Sequence, residues 1–280
     1  MSIRIVTDST CDLPQSIVQQ YEITVVPLFI NFADRGYLDG LEISREEFYT
    51  RLPGSNPLPT TATPNPQMFC QAYDRLAAEG ATEILSIHMS VSLSATVDTA
   101  RLCAQESRSV PVTVLDSRQL SMGTGFLVLA AAKLVAQDCS MSEILGSLDD
   151  QIKRTHVFAA LDTLEFLKRS GRMSAAVAGL GSLLQIKPLL KMYDGNPTVE
   201  RTRTRRGATR RLINLLTELA PLEKLAILHT HAPERAEELR RQVRHLLPAG
   251  EVPSLDITPV IGTHIGPGAA GFACVKAQGS

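Results

Sequence analysis

Two stretches of this chain gather side chains suited to holding a small anion. The first is Ile84-Leu85-Ser86-Ile87-His88-Met89-Ser90-Val91-Ser92-Leu93-Ser94-Ala95-Thr96, which opens as an apolar run and breaks into a hydroxyl-rich turn. Neutral hydroxyls donate hydrogen bonds to an oxyanion without supplying a countercharge, which suits a carboxylate or phosphate at one end of a larger ligand. Ser94 falls where the N-cap of a following helix belongs, and the first amides of such a helix add donors and a favourable dipole. The same residue types also cap helices where no ligand is bound. The second stretch is Gly262-Thr263-His264-Ile265-Gly266-Pro267-Gly268-Ala269-Ala270-Gly271. Its glycines and proline imply backbone in unusual conformations or in close approach to something else. His264 is its only titratable side chain, and its plainest role is that of a loop histidine satisfied by a nearby carbonyl.

The elements that must position these groups follow from periodicity. Residues 3–7 form a buried strand, and Asp8-Ser9-Thr10-Cys11-Asp12-Leu13-Pro14 is a polar turn into a short helix. Residues 23–30 are a further β-branched run. Five prolines lie between Pro53 and Pro66, a stiff segment unable to enter a sheet interior. Helical spacing covers 67–78, the strand at 84–89 leads into helical spacing over 97–107, and 112–115 is another strand. Alternation of this kind implies a parallel sheet with helices on both faces and ligands at the carboxyl ends of its strands, where the turns at 8–12 and 90–94 both lie. Helical patterns at 122–135 and 142–152 close this half.

After residue 155 the pattern changes. A strand over 156–161, a short helix over 164–169 and an uncharged Ala- and Gly-rich segment over 175–184 precede two strands, 187–193 and 198–204, around Asp194-Gly195-Asn196-Pro197, a hairpin turn. The expected architecture is α/β, with an N-terminal parallel α/β/α domain at 1–155 and a C-terminal α+β domain at 156–280 whose sheet is mainly antiparallel.

Composition excludes several classes of function. With 20% charged residues, 44% hydrophobic residues and a formal net charge of −1 over 280 residues, the chain lacks the basic excess that attracts nucleic acid or anionic lipid. No apolar run is long enough for a membrane span, and the N-terminus leads directly into a strand, so the expected compartment is the cytoplasm. Cys11, Cys70, Cys103, Cys139 and Cys274 are widely spaced without a C-x-x-C pair and read as reduced core thiols, with neither a metal nor a cofactor expected. Arg201, Arg203 and Arg205 alternate as if on one strand face. With no interleaved aromatic residues, this basic run suits a solvated edge or protein-docking face rather than nucleic acid.

Taken together, the segments resemble the DegV family, typified by the fatty-acid-binding subunits of bacterial fatty-acid kinase. Ile5-Val6-Thr7-Asp8-Ser9-Thr10-Cys11-Asp12-Leu13-Pro14 looks like the family's opening motif. Thr60-Thr61-Ala62-Thr63-Pro64, Leu93-Ser94-Ala95-Thr96, Leu164-Glu165-Phe166-Leu167-Lys168-Arg169-Ser170-Gly171-Arg172, Ile186-Lys187-Pro188-Leu189-Leu190, Asp194-Gly195 and Gly262-Thr263-His264-Ile265-Gly266-Pro267-Gly268 follow in the family's order. The resemblance spans nearly the whole chain. It implies a non-catalytic, two-domain carrier that encloses one long-chain fatty acid between its domains and presents the carboxylate to a separate ATP-dependent kinase. On that resemblance Thr61 and Ser94 match the hydroxyls that hold the carboxylate, His264 the histidine near it, and Arg172 an arginine of the kinase-facing surface. Ala95, Ala62, Thr63 and Ile265 depart from the family's Gly, Ser, Gln and Thr, which bears on ligand identity more than on binding. Candidate tunnel walls are the segments 122–135 and 175–184.

The alternative is a serine-dependent hydrolase using Ser94 and His264. The G-x-S-x-G elbow is absent, and no acid to orient His264 can be picked out by spacing. A phosphotransfer or nucleotide-binding role lacks both G-x-x-x-x-G-K-[ST] and G-x-G-x-x-G.

Overall fold

The computed structural model describes residues 2–107, 109–171 and 186–279. β1 (Ile3–Asp8) leads through a single 3-10 turn, Ser9–Cys11, to α1 (Gln15–Gln20). The apolar run that follows forms two strands, β2 (Thr24–Val26) and β3 (Phe29–Asn31), divided at Pro27, which has no amide to continue a ladder. Next come β4 (Gly36–Leu38), α2 (Arg45–Arg51) and β5 (Thr60–Ala62). β5 lies within the proline-rich segment as an edge strand of a three-stranded sheet ordered β4-β3-β5, where the prolines on either side interrupt no ladder.

α3 (Pro66–Ala78), β6 (Glu83–His88), α4 (Thr96–Glu106), β7 (Val112–Asp116), α5 (Met122–Val135) and α6 (Met141–Arg154) complete the first half. Strands β2-β1-β6-β7 form a parallel sheet in that order. Because side chains alternate along a strand, Val6 and Ile84 pack with Phe69 and Tyr73 on one face. Ile5, Leu85 and Ile87 pack with Leu127 and Leu148 on the other. α6 is fixed at its start by a capping box between Ser140 and Glu143.

The second half runs β8 (Thr155–Ala160), α7 (Glu165–Arg169), β9 (Lys187–Tyr193), β10 (Asn196–Thr202) and α8 (Arg205–Glu218). It continues with β11 (Leu222–His229), α9 (Pro233–Gln242), β12 (Ser254–Asp256), α10 (Pro259–Ile265) and β13 (Ala270–Lys276). Its six-stranded sheet is ordered β10-β9-β8-β13-β11-β12. Every pair is antiparallel except β11 with β12. Asp194 and Gly195, with φ of 44° and 78°, supply the two positive φ values of a tight hairpin turn.

Three local expectations change. Arg205 opens α8 rather than extending β10, so the three arginines do not share one strand face. α5 packs against β1, β6, β8 and β13 as part of a core that spans both sheets, and none of its residues lines the cavity described below. The other candidate wall, 175–184, lies outside the described residues. Cys70 on α3 and Cys103 on α4 form a disulfide with Cα atoms 5.2 Å apart. That pairing depends on how α3 meets α4, which a separation of 33 residues does not reveal. Cys11 and Cys274 are free, and burial pushes both thiols up to about 12, so they are inert packing groups. Among the described residues no helix is long and apolar enough to cross a membrane.

Candidate functional site

His264 is carried by a helix rather than by a loop. α10 presents it, and the unusual backbone begins two residues later, at Gly266 and then Gly268 with φ of 73° and 81°. A side chain at Gly266 would be strained by that φ and would also meet the Phe166 ring. Thr61 stands on β5, opposite Ile30 of β3. The fold brings the two together: Thr61 Oγ1 lies 2.9 Å from His264 Nε2, across 203 residues of sequence.

Ser94 is placed one residue earlier than expected, ahead of an N-cap at Ala95. It still supports the helix start, because its Oγ accepts from the Thr96 amide at 3.3 Å and lies 2.8 Å from Thr96 Oγ1. Thr61, Ser94 and His264 line one cavity, partly open to solvent, with an interior volume of about 130 Å³. Leu28, Leu93, Val157, Leu167, Leu190 and Val199 are among its apolar lining. Two of the remaining polar residues are already engaged. Ser121 Oγ donates to Asp12 at 2.6 Å, and Lys191 pairs with Glu200 at 3.2 Å. Arg172 lies outside the described residues.

A buried polar clasp that periodicity does not report anchors the segment leading into α10. Asp12, in the turn after β1, accepts from the Thr258 amide at 2.8 Å, from Ser121 Oγ, and from Arg45 at 3.0 Å. Arg45 also donates to the Asp256 carbonyl. Asp39 accepts from Thr258 Oγ1 at 2.5 Å, and Tyr49 OH donates to the Ile257 carbonyl at 3.0 Å. Burial pushes the Asp12 carboxyl up, with the Arg45 guanidinium and the hydrogen bonds opposing it.

Burial also pushes Asp39 up to about 6, against hydrogen bonds from Ser9 and Thr258. A folded-state value raised above the ordinary 3.8 means that stability falls as pH rises through the window from 3.8 to about 6. Ionised Asp39 therefore costs on the order of 3 kcal/mol above that window. Asp39→Asn keeps an acceptor for Thr258, so it is expected to stabilise the protein by about 1–3 kcal/mol at pH 7.5 and to change little at pH 4. Urea unfolding at both pH values checks this, and a loss of stability at pH 7.5 would show that the charge is needed.

The Ser94–His264 pair that the hydrolase alternative requires is not formed, since Ser94 bonds within its own turn while the His264 ring meets Thr61. A Ser-His-Asp sequence of contacts does occur elsewhere. Ser86 Oγ lies 2.7 Å from His88 Nε2, and His88 Nδ1 lies 3.0 Å from Asp8 Oδ2. All three residues are 0% exposed, so no substrate reaches them. Spacing did not single out this triad, although His88 inside an apolar strand was a visible anomaly. Among the described residues no group of three His, Cys, Asp or Glu could hold a metal ion.

The family described as "Uncharacterised protein, DegV family" matches residues 2–277. A DegV domain-containing protein of Streptomyces coelicolor is 36% identical over 274 residues, 96% of each chain. Protein DegV of Bacillus subtilis is 32% identical over 284 residues, covering 99% of this chain and 100% of that one. Among solved structures, a DegV family protein from Thermus thermophilus described for fatty acid binding aligns with a TM-score of 0.89 at 35% identity, covering 99% of this chain and 100% of that one. DegV from Bacillus subtilis, described as a fatty acid binding protein, aligns at 0.89 and 30% identity with the same coverage.

Proposed function

The chain belongs to the DegV family, and from that membership we propose that it binds one long-chain fatty acid in the cavity lined by Thr61, Ser94 and His264. The observation that carries this reading is a mostly apolar cavity whose hydrogen-bonding side chains, apart from the Lys191 already paired with Glu200, are hydroxyls and an imidazole. Burying roughly fifteen methylenes at ~0.8 kcal/mol each contributes ~12 kcal/mol before ordering costs. A hydrogen bond to a charged group adds about 1.5–3 kcal/mol. The tail therefore supplies affinity and the hydroxyls supply orientation. We divide the chain at residue 155, so that the acid lies between a domain at 1–155 and a domain at 156–280.

The protein acts as a carrier rather than an enzyme, and needs no cofactor. Its carboxylate is handed to an ATP-dependent kinase in the cytoplasm, and Arg172 docks that kinase. This step rests on the resemblance of the segment 164–172 to the family's kinase-binding subunits.

Mass spectrometry of lipid extracted from purified protein tests the binding role. Ser94→Ala and Thr61→Ala are each expected to weaken fatty-acid binding by on the order of 1–3 kcal/mol, or about 5- to 150-fold, with the fold retained. Ser94→Ala also removes the contact to the Thr96 amide, so it is expected to lose somewhat more stability. Unchanged affinity in both variants would remove them from the head-group site. An esterase activity that vanishes in Ser94→Ala would replace the carrier reading with the hydrolase one.

A further inference from the structure

We propose that His88 is a positioning residue for the fatty-acid head group, acting through Asp8 to hold the loop that presents Ser94; the proposal rests on the reading of Ser94 as a carboxylate donor. β1 and β6 are adjacent parallel strands, with Thr7 beside Ile87, so Asp8 and His88 leave the sheet together at its carboxyl end. Asp8 Oδ2 receives His88 Nδ1 at 3.0 Å and the Met89 amide at 3.1 Å. Its Oδ1 receives the Thr10 amide at 3.0 Å and Thr10 Oγ1 at 2.5 Å. Beyond the ring, His88 Nε2 meets Ser86 Oγ, which lies 2.9 Å from Tyr73 OH. The Phe69 ring stands edge-on to the imidazole at 5.0 Å.

Counting donors fixes the direction of this chain. An ionised carboxylate only accepts, so Nδ1 carries the hydrogen towards Asp8. In a neutral ring Nε2 then accepts from Ser86, and Ser86 accepts from Tyr73. Burial pushes the Asp8 carboxyl up, but the hydrogen bonds from His88 and Thr10 outweigh it and hold the group below its ordinary value.

The Met89 amide held by Asp8 begins the loop to Ser94. The Ser90 amide then donates to the Gln119 carbonyl at 2.8 Å, and the Ser90 carbonyl accepts from Leu93 at 3.0 Å and Ser94 at 3.2 Å. The loop is thus held at Met89 by the buried carboxylate and, from the next residue, by hydrogen bonds that reach Ser94, and Met89 and Leu93 on the way line the cavity. Polar residues in a dry interior stabilise less than an apolar core of the same volume would. Their use here is geometric, setting where the Ser94 hydroxyl points.

The test compares two probes with the same tail, dodecanoic acid and 1-dodecanol, by displacement of a fluorescent acyl probe. The wild-type protein is expected to prefer the acid. His88→Gln, which no longer places a donor at the Nδ1 position, is expected to reduce the acid-to-alcohol affinity ratio about tenfold while leaving dodecanol binding unchanged. His88→Asn, whose amide nitrogen stands near the position of Nδ1, is expected to keep most of the wild-type ratio. Should His88→Gln fail to fold, Ser86→Ala cuts the same chain one step further back and is read by the same ratio, which is expected to fall by a smaller factor. A purely structural histidine would lower the melting temperature or weaken both probes alike. An unchanged ratio in the folded variant therefore overturns the proposal while the carboxylate site stands. Equal affinity of the wild-type protein for acid and alcohol would remove the carboxylate site itself, and this proposal with it.

Discussion

Leu190→Trp is expected to cut the affinity for hexadecanoic acid by about a hundredfold, because an indole in the cavity displaces some 3–4 methylenes at ~0.8 kcal/mol each. Leu190 is half-buried on β9, faces Ala159 of β8 and Val199 of β10 across the sheet, and lines the cavity. The ring is directed at the cavity rather than at packed core, which limits the overpacking strain that usually accompanies such a change. The fold is expected to survive, seen as an unchanged far-UV circular dichroism spectrum and melting temperature. Titration of hexadecanoic acid together with lipid content after purification decides the matter. Wild-type affinity and lipid content would mean that the acyl chain lies elsewhere.

Gly271→Val is expected to destroy the fold, with a loss of at least about 4 kcal/mol and little soluble protein. Gly271 lies on β13, between β8 and β11 and opposite Ala159. A Cβ there would stand 2.1 Å from the Phe158 carbonyl oxygen and 2.5 Å from the Ala159 Cα. Both are backbone atoms of the neighbouring strand and cannot yield without breaking a ladder in the middle of the sheet. The second-half core on one face, with Phe272 and Leu212, and the shared core on the other, with Ala273 and Leu228, would separate together. Chemical unfolding of any soluble fraction gives the measurement. A cooperative transition near the wild-type midpoint would show that the strands can part.

Much of the element order was legible from one residue to its near neighbours. The span of α5, the strand at 187–193 and the Asp194-Gly195 turn follow from periodicity and from residues that tolerate positive φ, since each depends on which face is buried or which backbone angle is allowed. The glycines of 262–271 announced both unusual φ and close approach, and the structure shows both at Gly266 and Gly268 and close approach alone at Gly262 and Gly271. Family membership was legible for a related reason, because short motifs in a fixed order survive in the sequence itself.

Only the tertiary structure decided which of these pieces meet. The contact of Thr61 with His264, the clasp of Asp12 with Thr258 and the pairing of Cys70 with Cys103 join residues from separate elements. No local pattern encodes such distances, since periodicity reports a buried face but not the partner that buries it. Apolar character likewise did not separate a core helix from a cavity wall: α5 is as hydrophobic as a tunnel lining, yet it fills the space between two sheets. A serine at a helix start reads the same whether it serves the backbone, a ligand or both. Ser94 stands on a cavity wall, and that cavity exists only once β5, α10 and the sheet from β8 to β10 have packed around it.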